Sequence, residues 1–169
     1  MRFDRKKILV TGGSRGIGRA IATRFAAAGA QVAIHYGSNH EAADAAIKTL
    51  EGTGHILCSG DVAEPETTQR IVRETVEKLG GLDVLVNNAG IFEAHPVDDV
   101  TFDDWQLAWQ HTLAVNLTGP ANLCWQAIDH MRHNGGGRII NVSSRGAFRG
   151  EPRCPAYGAS KAGLNAMTQ

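Results

Sequence analysis

Five short apolar runs, at residues 7–10, 31–36, 55–59, 82–87 and 138–142, alternate with longer stretches of helical period. That rhythm dictates βαβα units and therefore a parallel sheet covered by helices on both faces, a three-layer, doubly wound α/β fold. The spacing predicts helices over 17–28, 41–50, 66–79, 102–133 and 156–169. Gly29 follows the first and Gly80-Gly81 the third, as C-caps do, and Pro65 opens the third, where a missing N–H costs nothing. Thr101 and Asp104 offer a capping box to the fourth. Gly119-Pro120 lies inside that fourth helix and predicts a kink or break. Trp105 and Trp109 share one of its faces and read as packing residues, while Asp98, Asp99, Asp103 and Asp104 read as a solvated helix start.

The 169 residues, 43% of them hydrophobic, suffice for one domain with a real core. Lys plus Arg equal Asp plus Glu at 17 each, so no global field attracts nucleic acid or an anionic membrane, and an anion must be held locally. Cys58, Cys124 and Cys154 form no C-x-x-C, which argues for idle thiols in a reducing cytoplasm rather than a disulfide framework. The seven histidines contain no helical ligand pair, so no metal is expected. The charged start leads only into Ile8-Leu9-Val10, too short for a signal-peptide core or a membrane span.

Between the first strand and first helix stands Thr11-Gly12-Gly13-Ser14-Arg15-Gly16-Ile17-Gly18. A turn so rich in glycine lets a pyrophosphate approach the backbone, and the helix behind it offers unpaired N–H groups and the positive end of a dipole. The G-K-[ST] of a P-loop is missing, which disfavours nucleoside triphosphate hydrolysis. The ribose of a dinucleotide would meet the end of the second strand, His35-Tyr36-Gly37-Ser38-Asn39. No carboxylate stands there to accept a 2′-hydroxyl, and Arg15 is nearby, so NADP(H) is favoured over NAD(H).

Tyr157 and Lys161 are i and i+4 on the last predicted helix and share a face, with Ser144 upstream at the end of an apolar run. A phenol with an ordinary pKa of about 10 is a poor acid near neutrality, and a neighbouring ammonium favours its anion. Such a trio is suited to proton transfer. Arg145, Arg149 and Arg153 punctuate the intervening loop and read as solvated charges.

These motifs, with Asn87-Asn88-Ala89-Gly90 after the fourth strand, resemble in order and spacing the short-chain dehydrogenase/reductase family, and within it the 3-oxoacyl-carrier-protein reductases. The resemblance implies a Rossmann-type domain and hydride transfer between a nicotinamide and a carbonyl or secondary alcohol. It implies that Tyr157 is the general acid and base, that Ser144 orients the substrate carbonyl, and that Lys161 binds the nicotinamide ribose and acidifies the phenol. Asn116 would hold a water of a proton relay. Gly12, Ser14, Arg15, Gly16, Ile17 and Gly18 would receive the pyrophosphate, and Tyr36, Ser38 and Asn39 the adenosine ribose. Asp61 and Val62 would border the adenine, and Asn88, Ala89 and Gly90 would form the cofactor's floor. For Asn88 a role in tying neighbouring strands together stays open, and for Asn116 one in the helix kink.

The family continues past its Tyr-Lys helix with further strands and a substrate lid, whereas this chain stops at Gln169, inside that helix. The fifth strand is therefore expected at a sheet edge, exposing Ile139, Ile140 and Val142. A small-molecule carbonyl or alcohol is the expected partner, with homo-oligomers through the helices at 102–133 and 156–169. Two other readings stay open: a nucleotide-binding module without catalysis, and an assembly partner.

Overall fold

The computed structural model describes residues 3–169; Met1 and Arg2, at the charged start, lie outside it. Strands β1 (Lys7–Val10), β2 (Gln31–Tyr36), β3 (Ile56–Ser59), β4 (Val84–Asn87) and β5 (Arg138–Asn141) form one sheet in the order β3-β2-β1-β4-β5. Every pairing is parallel. Successive side chains of β1 serve opposite faces. Ile8 and Val10 join Ala22, Ala26, Val32, Ile34 and Val86 in one core cluster, while Leu9 joins Ile71, Val72, Leu85, Leu123 and Met131 in the other. Two cores on two faces explain why the central strands carry apolar residues at consecutive positions.

Helices α1 (Gly16–Ala27) and α2 (His40–Ile47) supply the first cluster, and α3 (Pro65–Leu79) and α5 (Gly119–His133) the second. Asn39 caps α2 by accepting the Ala42 N–H at 2.9 Å. This helix ends three residues short of the expected 50, because Thr49 and Leu50 turn back onto Ala46 and Ile47. Leu50 still reaches the core. Thr101 caps α4 (Phe102–Leu113), accepting from Asp104 N at 3.1 Å. The Asp104 carboxylate accepts the Thr101 hydroxyl at 2.7 Å.

The expected single helix over 102–133 is instead α4, a π-helical turn (Ala114–Thr118) and α5. Pro120 supplies the reason, since it has no N–H for the carbonyl four residues back, Asn116, and its ring would press against that oxygen. Widening the turn relieves the clash. Gly119 lets this turn lie against the β3–α3 loop, where any side chain would meet the Val62 carbonyl. Trp105 and Trp109 pack on each other with centroids 5.3 Å apart, and the four aspartates near this helix start are exposed, as expected.

A short helix α6 (Gly146–Arg149), not foreseen, precedes α7 (Pro155–Met167). β5 lies at the sheet edge as expected. Ile140 is 44% exposed there, but Ile139 and Val142 are partly buried against the two cores. Among the described residues no helix is long and apolar enough to cross a membrane.

Candidate functional site

The turn from β1 into α1 is held by hydrogen bonds from the end of β4. Thr11 Oγ1 accepts from Asn88 N and Ala89 N, both at 2.9 Å, and Asn88 Nδ2 donates to the Thr11 and Gly12 carbonyls at 2.8 and 3.2 Å. The Asn88 amide therefore ties strands together. Gly18 sits where α1 presses on this knot, and a side chain there would strike the Gly12 carbonyl and the Asn88 amide. Gly16 differs: its φ is +54°, and a Cβ would have no neighbour within 4 Å because it would project into an open cleft. A turn with left-handed glycine, free space in front and a helix N-terminus behind fits a pyrophosphate.

The cleft, about 810 Å³, runs along the carboxyl ends of β1, β2, β3 and β4, at the point where the strand order reverses. Of the expected cofactor residues, Gly18, Tyr157 and Lys161 are outside its lining and all the others are in it. His35 and Gly37, from the strand end expected to meet the ribose, join the lining, and so do Gly60, Ile91, His111 and Val115, which were not anticipated. At the β2 end the Tyr36 hydroxyl is bonded to His40 Nδ1 at 2.7 Å and Asn39 Oδ1 is engaged by its helix cap. Those atoms are committed within the protein, whereas Arg15, Ser38 and the Asn39 side-chain amide nitrogen face the cleft.

His35 is 2% exposed. Its Nδ1 accepts from Gly12 N at 3.3 Å and its Nε2 lies 2.9 Å from the Gly60 carbonyl, which can only accept. The partners therefore assign the neutral tautomer with its proton on Nε2. Burial pushes the His35 pKa below its ordinary 6.5; the Gly60 carbonyl and Asp61 act upward, and Arg70 acts downward with the burial. The neutral form is thus the one that folding favours, so its stabilisation is complete above pH 6.5 and is lost as the pH falls through the lower folded value. The urea midpoint is expected to drop as pH is lowered from 7 toward 5, and His35→Asn to flatten that drop. An unchanged slope in the variant would assign the effect to other groups.

At the opposite end, Lys161 is 5% exposed. Its Nζ donates to the Val142 carbonyl at 2.9 Å and lies 5.9 Å from the centroid of the Tyr157 ring. Burial lowers the pKa of this ammonium from 10.5. A Cβ on Gly90 would stand 3.6 Å from Lys161 Nζ and 3.1 Å from Asn116 Oδ1, which brings both side chains to the cleft's floor. Tyr157 is half-buried, and its ring meets Phe92 edge to face with centroids 4.7 Å apart.

Asn116 is fully buried in the π turn. Its Oδ1 accepts from Ile91 N at 2.8 Å, and its Nδ2 donates to the Ile91 carbonyl at 2.9 Å and Ser160 Oγ at 3.3 Å. Ser160 in turn donates to the Tyr157 carbonyl at 2.7 Å. One amide thus joins the loop after β4 to the tyrosine helix.

Ser144 lies in the loop beyond β5 rather than at a strand end, because β5 stops at Asn141; its Oγ accepts from Gly146 N at 3.2 Å. Gly146 adjoins the tyrosine, with a Cβ there falling 3.5 Å from Tyr157 Cδ1. His95, 1% exposed and not anticipated, accepts the Ala156 N–H at 3.2 Å, with its Nδ1 on the Glu93 carbonyl at 2.9 Å. It satisfies an orphan donor in the first turn of α7 from a distant loop. Arg145 faces Glu151 at 3.5 Å and Arg153 faces Asp99 at 3.4 Å, so two of the three loop arginines have carboxylate neighbours.

A dinucleotide-sized groove with a buried ammonium beside a phenol at one end is suited to redox chemistry on a carbonyl. Residues 6–169 match the model of the short chain dehydrogenase family. The chain belongs to that family. Within it, the chain is 39% identical to an "Uncharacterized oxidoreductase" of Thermotoga maritima, over 100% of this chain and 65% of the relative. It is 38% identical to the glucose 1-dehydrogenase of Gluconobacter oxydans, over 95% of this chain and 60% of that one. The solved structure of a short chain dehydrogenase from Burkholderia cenocepacia, in complex with NADP, superposes with a TM-score of 0.87 at 41% identity. That match covers 99% of this chain and 67% of the other. The chain spans less than two thirds of the length of these two curated relatives.

Proposed function

We propose that the protein is a carbonyl reductase or alcohol dehydrogenase that uses NADP(H) in preference to NAD(H), similar in chemistry to 3-oxoacyl reductases. One observation carries this reading: the buried Lys161 ammonium sits between the Gly90 floor of the cleft and the ring of Tyr157. When bound, NADPH supplies the hydride. Tyr157 gives the proton to the alkoxide oxygen that develops, Lys161 stabilises the phenolate left behind, and Ser144 orients the substrate oxygen. Lys161 would also hold the nicotinamide ribose. Pro120 leaves the Asn116 main-chain carbonyl without its usual helical donor, which makes this oxygen the acceptor for a relay water, while the side-chain amide holds the scaffold. The buried and half-buried unpaired thiols Cys58, Cys124 and Cys154 support a cytoplasmic setting. Exposed Phe102, Leu107, Trp125 and Ile128 on α4 and α5 support a homo-oligomer.

Purified protein incubated with NADPH and a β-ketoester tests the reading. Loss of absorbance from the reduced cofactor supports it; NADPH binding without turnover instead defines a nucleotide-binding module, and no binding leaves an assembly partner. Cofactor choice has its own test. Arg15, Ser38 and the Asn39 amide nitrogen line the cleft beside the ribose position, and the Burkholderia relative is solved in complex with NADP. Tyr36→Asp is expected to shift the ratio of NADPH to NADH affinities by about tenfold toward NADH, read by fluorescence titration. An unchanged ratio overturns the preference assigned to this strand end.

A further inference from the structure

Three strand ends converge on the adenosine side of the cleft, and a single imidazole connects them. His35 belongs to β2, its Nδ1 receives Gly12 N–H from the β1 turn, and its Nε2 meets the Gly60 carbonyl past the end of β3. Its own carbonyl accepts Gly13 N at 2.8 Å, and Gly60 N returns to Tyr36 O at 3.0 Å. The side chain is 2% exposed, so water cannot substitute for either partner.

We propose that His35 is a positioning residue of the dinucleotide cleft, a neutral strut that fixes the separation of the glycine turn from the β3 end and thereby sets cofactor affinity. The proposal rests on reading the cleft as a dinucleotide site. Gly12 is the first glycine of the turn and holds a left-handed φ of +62°, a conformation with shallow restoring forces that an external bond can pin. Gly60 immediately precedes Asp61 and Val62, both of which line the cleft where an adenine would lie. Movement at either end of the strut would widen or narrow the groove between pyrophosphate and adenine positions. An imidazole suits the task because it is both acceptor and donor, with its two nitrogens on opposite sides of a rigid ring.

Two amide variants separate the two bonds. In His35→Asn the side-chain oxygen can occupy the Nδ1 place and keep the Gly12 bond, whereas in His35→Gln the amide nitrogen reaches the Nε2 place and keeps only the bond to Gly60. NADPH affinity, measured by fluorescence titration, is expected to fall about tenfold in His35→Leu and by at least about threefold in His35→Asn and in His35→Gln, each of which keeps one bond and releases the other. Parental affinity in His35→Leu, or in either amide variant, overturns the strut. A readout on the unmodified protein does not depend on how well the variants fold: nitrogen chemical shifts of the His35 ring must report the Nε2–H tautomer, and the Gly12 amide must be protected from hydrogen exchange. A proton on Nδ1, or rapid exchange at Gly12, also overturns it. If the unmodified protein binds no NADPH, the dinucleotide reading of the cleft fails and this role fails with it; the ring tautomer and Gly12 protection then still report whether the strut exists as a purely structural bond.

Discussion

Tyr157→Phe is expected to slow carbonyl reduction by roughly 10²- to 10⁴-fold, the range that a positioned general acid contributes. The substitution removes one oxygen and keeps the ring, so the edge contact with Phe92 at 4.7 Å and the placement of Lys161 near the ring survive. NADPH affinity is expected to stay within about twofold, since the cleft's polar lining is untouched. Steady-state rates with a β-ketoester, set beside fluorescence titration of the cofactor, separate the two quantities. Rates in the variant close to those of the parent would remove this tyrosine from the proton path.

Asn116→Leu is expected to lower stability by about 3 kcal/mol, because it strands two main-chain groups at once. The Ile91 N–H and C=O both bond to this one amide at 2.8 and 2.9 Å, and the donor to Ser160 goes with it. Leucine fills a similar volume, so the loss reports unsatisfied polar groups rather than a cavity. Urea denaturation followed by circular dichroism measures it. A midpoint equal to that of the parent would show that Ile91 finds other partners and that the knot at the π turn is dispensable.

The strands were legible because the central ones are covered on both faces, so β1, β2 and β4 announce themselves as unbroken apolar runs. The glycine turn was legible for a different reason: Gly12, Gly16 and Gly18 are required by backbone geometry and close approach, which leave a local mark in the sequence. Pro120 signalled that the long helix is interrupted, but only the neighbouring turn could reveal that Ala114–Thr118 absorbs the disturbance as a π turn. His35 and His95 were invisible as working residues. Each acts through partners far along the chain, Gly12 and Gly60 for one and Ala156 for the other, and an isolated histidine in an apolar stretch carries no trace of them. Ser144 follows the apolar run over 138–142 in the sequence and lies in the loop past β5, which ends at Asn141. The family resemblance supplied the roles proposed for Tyr157, Lys161 and Asn116; the coordinates supply the company they keep.

The strand order also dictates how this molecule can come into being. β1 lies between β2 and β4, and its pairing of Ile8 with Val84 joins residues far apart along the chain, with all of β2, β3 and α3 between them. A ribosome must therefore complete the second half of the sheet's central pair long after releasing the first. Until then one flank of β1 offers open ladder positions and apolar side chains, an interval during which chaperones can engage the nascent polypeptide.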